Sequence, residues 1–81
     1  MTSHQASKLF RDNSLDCVFI DGSHTYKDLN LDIKSWINKV KKDGIFAGHD
    51  YNVKFPGVIK AVNENLDPLI KHDIWQKSLD R

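Results

Sequence analysis

Apolar residues along this chain fall into two short unbroken runs with a helical stripe between them. Cys17, Val18, Phe19 and Ile20 form the first run, which stops at Asp21-Gly22. Ile45, Phe46 and Ala47 form the second, which stops at Gly48-His49-Asp50. Uninterrupted apolar runs of this length predict strands of a parallel sheet covered on both faces. Tyr26, Leu29, Ile33, Trp36, Ile37 and Val40 recur at helical intervals, so a helix is expected over Tyr26–Lys41. Thr25 followed by Asp28 has the spacing of a capping box at its start, and Gly44 suits a left-handed C-cap. Two parallel strands joined by a helix make a right-handed βαβ unit.

The flanks are simpler. Ser3 is expected to cap a short helix carrying Ala6, Leu9 and Phe10 on one face. Pro56 suits the first turn of a further helix whose apolar side is Val58, Ala61, Val62 and Leu66, broken near Asn65–Pro68. Ile74 and Trp75 read as a short final strand. The fold class is α/β with a parallel βαβ core, and residues 1–81 form one unit without an internal boundary.

Composition narrows the partners. A chain of 81 residues hides only about 60% of the surface its unfolded form exposes, so the core is small. Cys17 is the single cysteine, which excludes an internal disulfide; inside a strand it is expected to be a small buried hydrophobe. The net charge of +1 is nearly balanced, and Lys39, Lys41 and Lys42 gather near the predicted helix end, where cations complement the dipole. No basic stripe interleaved with aromatics points to nucleic acid. No apolar run reaches the roughly 20 residues of a membrane span, and the N-terminus lacks a signal-peptide core. A soluble, cytoplasmic protein is expected.

Ligands of open α/β sheets bind beyond the carboxyl ends of the strands, so Asp21 and Asp50 are expected at one rim. With His49 and Asn52 nearby they supply oxygen and nitrogen ligands suited to Mg²⁺ or another divalent cation. Aspartate also follows strands simply because it forms turns, and the pair at equivalent strand ends favours a site over that reading. His24 and His49 are candidate general bases, since imidazole titrates near neutrality. The alternative for either is a hydrogen bond to a loop carbonyl. Gly48 is expected where a ligand or a neighbouring element comes close. Tyr51 and Phe55 are expected to line a pocket or cover the sheet edge, and His4 and His72 to be surface residues away from the rim.

V-F-I-D-G-S-H-T-Y, the Asp32 and Trp36 spacing, and D-G-I-F-A-G-H-D-Y-N followed by P-G-V-I-K-A-V resemble the C-terminal half of class I S-adenosylmethionine-dependent methyltransferases. The resemblance covers Leu15 to Val62 and is nearest to the small-molecule O-methyltransferase-like group. It implies a partial Rossmann-like sheet in which Cys17–Ile20 and Ile45–Ala47 are the fourth and fifth strands. It also implies a small-molecule methyl acceptor and S-adenosylmethionine as cofactor in the complete domain. In metal-dependent relatives Asp21 would fall on one cation-binding position, and His49 and Asp50 on the other. His49 stands where some relatives have an acid, and Ser23 where some have a basic carboxylate. The family's glycine-rich cofactor turn and the acid after its second strand have no counterpart before Leu15, so no residue here is assigned to the cofactor. The chain is accordingly expected to be a fragment that binds the cofactor poorly alone and self-associates through an exposed strand edge. The competing readings are a non-catalytic remnant or interaction module, and a metal-dependent phosphoester hydrolase, for which the ligands are too few.

Overall fold

A computed structural model describes residues 2–22 and 24–79. The elements run α1 (Ser3–Ser7), β1 (Leu15–Ile20), α2 (Tyr26–Trp36), a single 3₁₀ turn (Ile37–Lys39), β2 (Val40–Gly48), α3 (Pro56–Asn65), β3 (Leu69–Lys71) and β4 (Ile74–Leu79). They build one four-stranded sheet in the order β1-β2-β4-β3. β1 and β2 are parallel neighbours, with Val18 opposite Phe46 and Ile20 opposite Gly48, as the two apolar runs predict. β4 lies antiparallel to β2, and β3 antiparallel to β4. The final strand at Ile74-Trp75 is therefore present and longer than expected, while β3 has no counterpart in the sequence reading.

α2 and α3 lie on one face of this sheet. Leu29 and Ile33 of α2 meet Val58, Ala61 and Val62 of α3 over Val40, Phe46 and Trp75, all of them buried. Phe46 and Trp75 pack edge to face with ring centroids 5.4 Å apart, a favoured aromatic arrangement. A side chain at Gly48 would collide with the Trp75 indole, so the glycine answers to a neighbouring element. That contact locks β4 in register against the end of β2, since Gly48 and Trp75 are paired residues.

Several expectations are corrected. The long helix does not reach Lys41: its α-helical part ends at Trp36, and Val40 opens β2 instead. Val40 keeps the helical spacing of apolar residues but fills the core from a strand, opposite Leu15. A step from Leu15 to Cys17 on β1 then faces the longer step from Val40 to Ile45 on β2, so Lys41–Asp43 stand exposed without partners on β1 while Gly44 stays buried and pairs with Leu79. Gly44 is thus a strand residue rather than a helix cap, and the left-handed backbone is at Asp43. The first helix is capped by Thr2, whose hydroxyl accepts from Gln5 in a full capping box, and it stops before Leu9 and Phe10, both exposed. Thr25 does cap α2, accepting from the Asp28 N–H. Pro56 does open α3.

β1 is not covered on both faces. Cys17 is exposed, and Phe19 and Ile45 leave 52% and 44% of their surface open on the face away from the helices. β1 is also an edge strand, paired on one side only among the described residues. No described helix is long and apolar enough to cross a membrane.

Candidate active site at the strand ends

The parallel pairing of β1 and β2 brings their carboxyl ends to one rim. The ladder continues past the strands, with the His49 N–H donating to the Ile20 carbonyl at 3.3 Å. Asp21 and His49-Asp50 therefore leave the sheet side by side. One ligand atom from each of Asp21, His49 and Asp50 lies within 4.8 Å of those of the other two.

Asp50 is the hub. One carboxylate oxygen lies 2.6 Å from His24 Nε2, and the other lies 3.0 Å from His49 Nδ1. The His24 ring is further fixed by stacking on Phe55, with centroids 3.9 Å apart and planes inclined by 19°. Asp50 is partly shielded, whereas both histidines keep nearly half their side-chain surface in solvent. The site is thus open to solvent on the side of its histidines.

Local sequence explains the shape. Asp50 adopts a left-handed backbone, φ 64°, a conformation in which Asp is enriched. The chain then turns back, with the Asn52 N–H donating to the Asp50 carbonyl at 2.9 Å. Asn52 Oδ1 accepts from the Lys54 N–H at 2.9 Å, closing a side-chain turn that delivers Phe55 to the His24 ring. On the other side Thr25 and Tyr26 start α2 directly after His24. The Tyr26 hydroxyl donates to the Glu64 carboxylate, a bond that raises the phenol above its ordinary pKa, and Lys60 Nζ lies 4.5 Å over the Tyr26 ring. These contacts tie the start of α2 to α3. Gly57 makes the approach possible, because a Cβ there would press on the Tyr26 amide nitrogen.

The expected site residues thus meet in large part. Asp21, His24, His49 and Asp50 converge. Asn52 sits beside them, but its amide oxygen goes to Lys54 and its amide nitrogen donates to Asp73 Oδ2 at 3.3 Å. Ser23 lies outside the described residues. Of the two open possibilities for Phe55 and Tyr51, Phe55 lines the site, while the Tyr51 hydroxyl donates to Asn63 at 2.7 Å. His4 is remote, bonded to Ser35 at 2.7 Å. His72, expected away from the rim, belongs to a hairpin turn whose next residue, Asp73, touches the rim loop. Sequence reasoning missed Asp73 altogether. The one signal that could have found it is an exposed polar pair between two short β-forming stretches.

The same segments carry a family signature. Residues 1–51 match the methyltransferase domain family, and the chain belongs to it. The matched stretch holds β1, α2 and β2 with Asp21, His24, His49 and most of the rim, Asp50 included. S-adenosylmethionine is the usual cofactor of that family. Uncharacterized protein y4gI of Sinorhizobium fredii (strain NBRC 101917 / NGR234) is 35% identical over 46 residues, 57% of this chain. The matched residues are 5% of that protein, so the chain spans a small part of the curated relative's length.

Proposed function

We propose that this chain is the acceptor-side, C-terminal half of a class I S-adenosylmethionine-dependent methyltransferase domain, of the O-methyltransferase-like group, acting on a small-molecule hydroxyl. The observation that carries this reading is the convergence of Asp21, His24, His49 and Asp50 beyond two parallel strands. The family match supports the class of chemistry.

In this reading the acceptor hydroxyl lies at the rim, and His24 takes its proton. Asp50, on Nε2, holds the ring and stabilises the imidazolium that forms, leaving Nδ1 as the basic atom. Phe55 keeps the ring from turning. S-adenosylmethionine held by the completed domain would supply an electrophilic sulfonium methyl group, with the neutral thioether as its leaving group. The acceptor oxygen forms the new bond to carbon as it gives up its proton, so charge is balanced. No residue here is assigned to hold that cofactor.

The donor set also fits a divalent cation. Two carboxylates and an imidazole within 4.8 Å are oxygen and nitrogen ligands of the kind Mn²⁺ and Mg²⁺ accept. Asp21, His49 and Asp50 would hold the ion, which would lower the pKa of a bound hydroxyl. Asn52, expected from the sequence as a ligand, serves in this proposal to support the loop after Asp50.

The test uses the domain completed by its cofactor-binding half. Asp21→Asn and Asp50→Asn should each lower turnover on the order of a hundredfold while leaving the melting temperature nearly unchanged. Normal turnover, or a collapsed melting temperature, would reduce both aspartates to turn formers. A second reading, an interaction module that pairs through β1, is favoured by one observation: among the described residues that strand is an uncovered edge, and it carries exposed Phe19 near exposed Ile45 of β2.

A further inference from the structure

We propose that Asp73, at the tip of the β3–β4 hairpin, is a positioning residue for the rim site. It holds the loop that places Asp50 between His24 and His49. The inference rests on the reading of that rim as the functional site, but it concerns a residue of the antiparallel hairpin beside β2.

Two independent observations meet at Asp73. First, the hairpin turn is built from His72 and Asp73, both left-handed, with φ 49° and 66°. Two-residue turns of this handedness strongly favour Asn-Gly or Asp-Gly, because glycine takes a positive φ without strain. Here the second position is Asp, so the turn keeps a side chain where glycine would relieve it.

Second, that side chain is used. Asp73 Oδ2 accepts from Asn52 Nδ2 at 3.3 Å, and the Asp73 carbonyl accepts from the Tyr51 N–H at 2.9 Å. Asn52 is thereby held at both ends of its amide, since Oδ1 accepts from Lys54. Its N–H in turn donates to the Asp50 carbonyl at 2.9 Å. The chain of bonds runs from the hairpin tip to the residue that both imidazoles touch. The tip is anchored close by, because Trp75, two residues on, is seated against Gly48 just before His49. The antiparallel hairpin thus reaches over the end of the parallel pair and braces its loop.

The experiment compares the 81-residue chain with Asp73→Asn and Asp73→Gly. Asparagine tolerates the left-handed backbone and still accepts from Asn52; glycine relaxes the turn but removes the acceptor. The Asp73→Gly protein should melt at or above the wild-type temperature. Its Lys54 amide should nonetheless exchange tenfold or more faster, and the His24 ring protons should lose the ring-current shift imposed by Phe55. Asp73→Asn should restore both signals. A merely structural turn residue would move the melting temperature and leave the loop signals alone. Wild-type exchange and ring shifts in Asp73→Gly, or failure of Asp73→Asn to restore them, would overturn the proposal. Mn²⁺ titration of the same proteins separates the two readings. Loss of a supporting contact should weaken binding tenfold or more. Wild-type protein that fails to take Mn²⁺ would remove the metal reading, while the exchange and ring-shift data still decide the role of Asp73.

Discussion

The two faces of the sheet carry similar residues and meet different fates. On one face Phe46 and Trp75 are fully buried beneath α2 and α3; on the other Phe19 and Ile45 stand open beside Cys17. Phe19 is paired with Ala47, the direct neighbour of Phe46, so adjacent positions on the same two strands differ only in which way they point. Hydrophobicity made both faces capable of burial; the helices present in this chain cover one. The covered face holds the fold together, and the open face with the β1 edge is surface available to another chain or segment.

Truncation breaks this comparison most sharply. Phe46→Ala should cost about 3–5 kcal/mol, the range for a buried aromatic, and a chain this small should then be largely unfolded. Phe19→Ala should change stability by only about 0.5 kcal/mol, as for an exposed site. If the interaction reading through β1 holds, the same change should weaken the pairing of copies, read by sedimentation velocity. Denaturant melts of the two variants check the first contrast. Equal losses would mean that the open face is buried in solution, and the comparison would fail.

How much of this was legible follows the same division. The parallel pair was readable because each apolar run ends abruptly at an aspartate or glycine, and a strand in a parallel sheet needs no alternation. That same lack of alternation concealed which face would be covered, so Cys17 and Phe19 were expected inside. The end of α2 escapes the pattern because Val40 continues the helical spacing, while the polar, exposed Lys41-Lys42-Asp43 stretch hides a strand that has already begun. β3 escaped because three residues after Pro68 give little periodicity and His72-Asp73 lacks the glycine that marks a tight hairpin. Asp21, His24, His49 and Asp50 were visible as strand-end chemistry. Phe55 was open between a pocket and the sheet edge, and its stacking on His24 comes from a loop return; Asp73 reaches the rim loop through a hairpin whose placement the sequence pattern does not encode.

A smaller effect sharpens the account of the helical face. Asp32 on α2 lies partly buried, and that burial raises its carboxyl pKa, opposed by a hydrogen bond from Ser3. Its folded-state pKa is above the unfolded one, so the folded state holds the proton more tightly. Its favourable contribution is therefore full below the ordinary carboxylate pKa and is lost as pH rises through the raised value. Asp32→Asn should accordingly raise the melting temperature slightly at neutral pH and make no such difference in acid. Melts of both proteins across the acidic range check the sign, and a variant less stable at neutral pH would reverse it.

The rim site is tested most directly by Mn²⁺ titrated into the 81-residue chain, with the histidine ring signals followed by NMR. His24 and His49 surround Asp50, while His4 is held at Ser35 and serves as an internal control. Substoichiometric Mn²⁺ should broaden His24 and His49 first and spare His4, and Asp21→Asn and Asp50→Asn should each abolish this selectivity. Uniform broadening of His4 together with His24 and His49, or selective broadening that survives both substitutions, would contradict a cation site built from these residues.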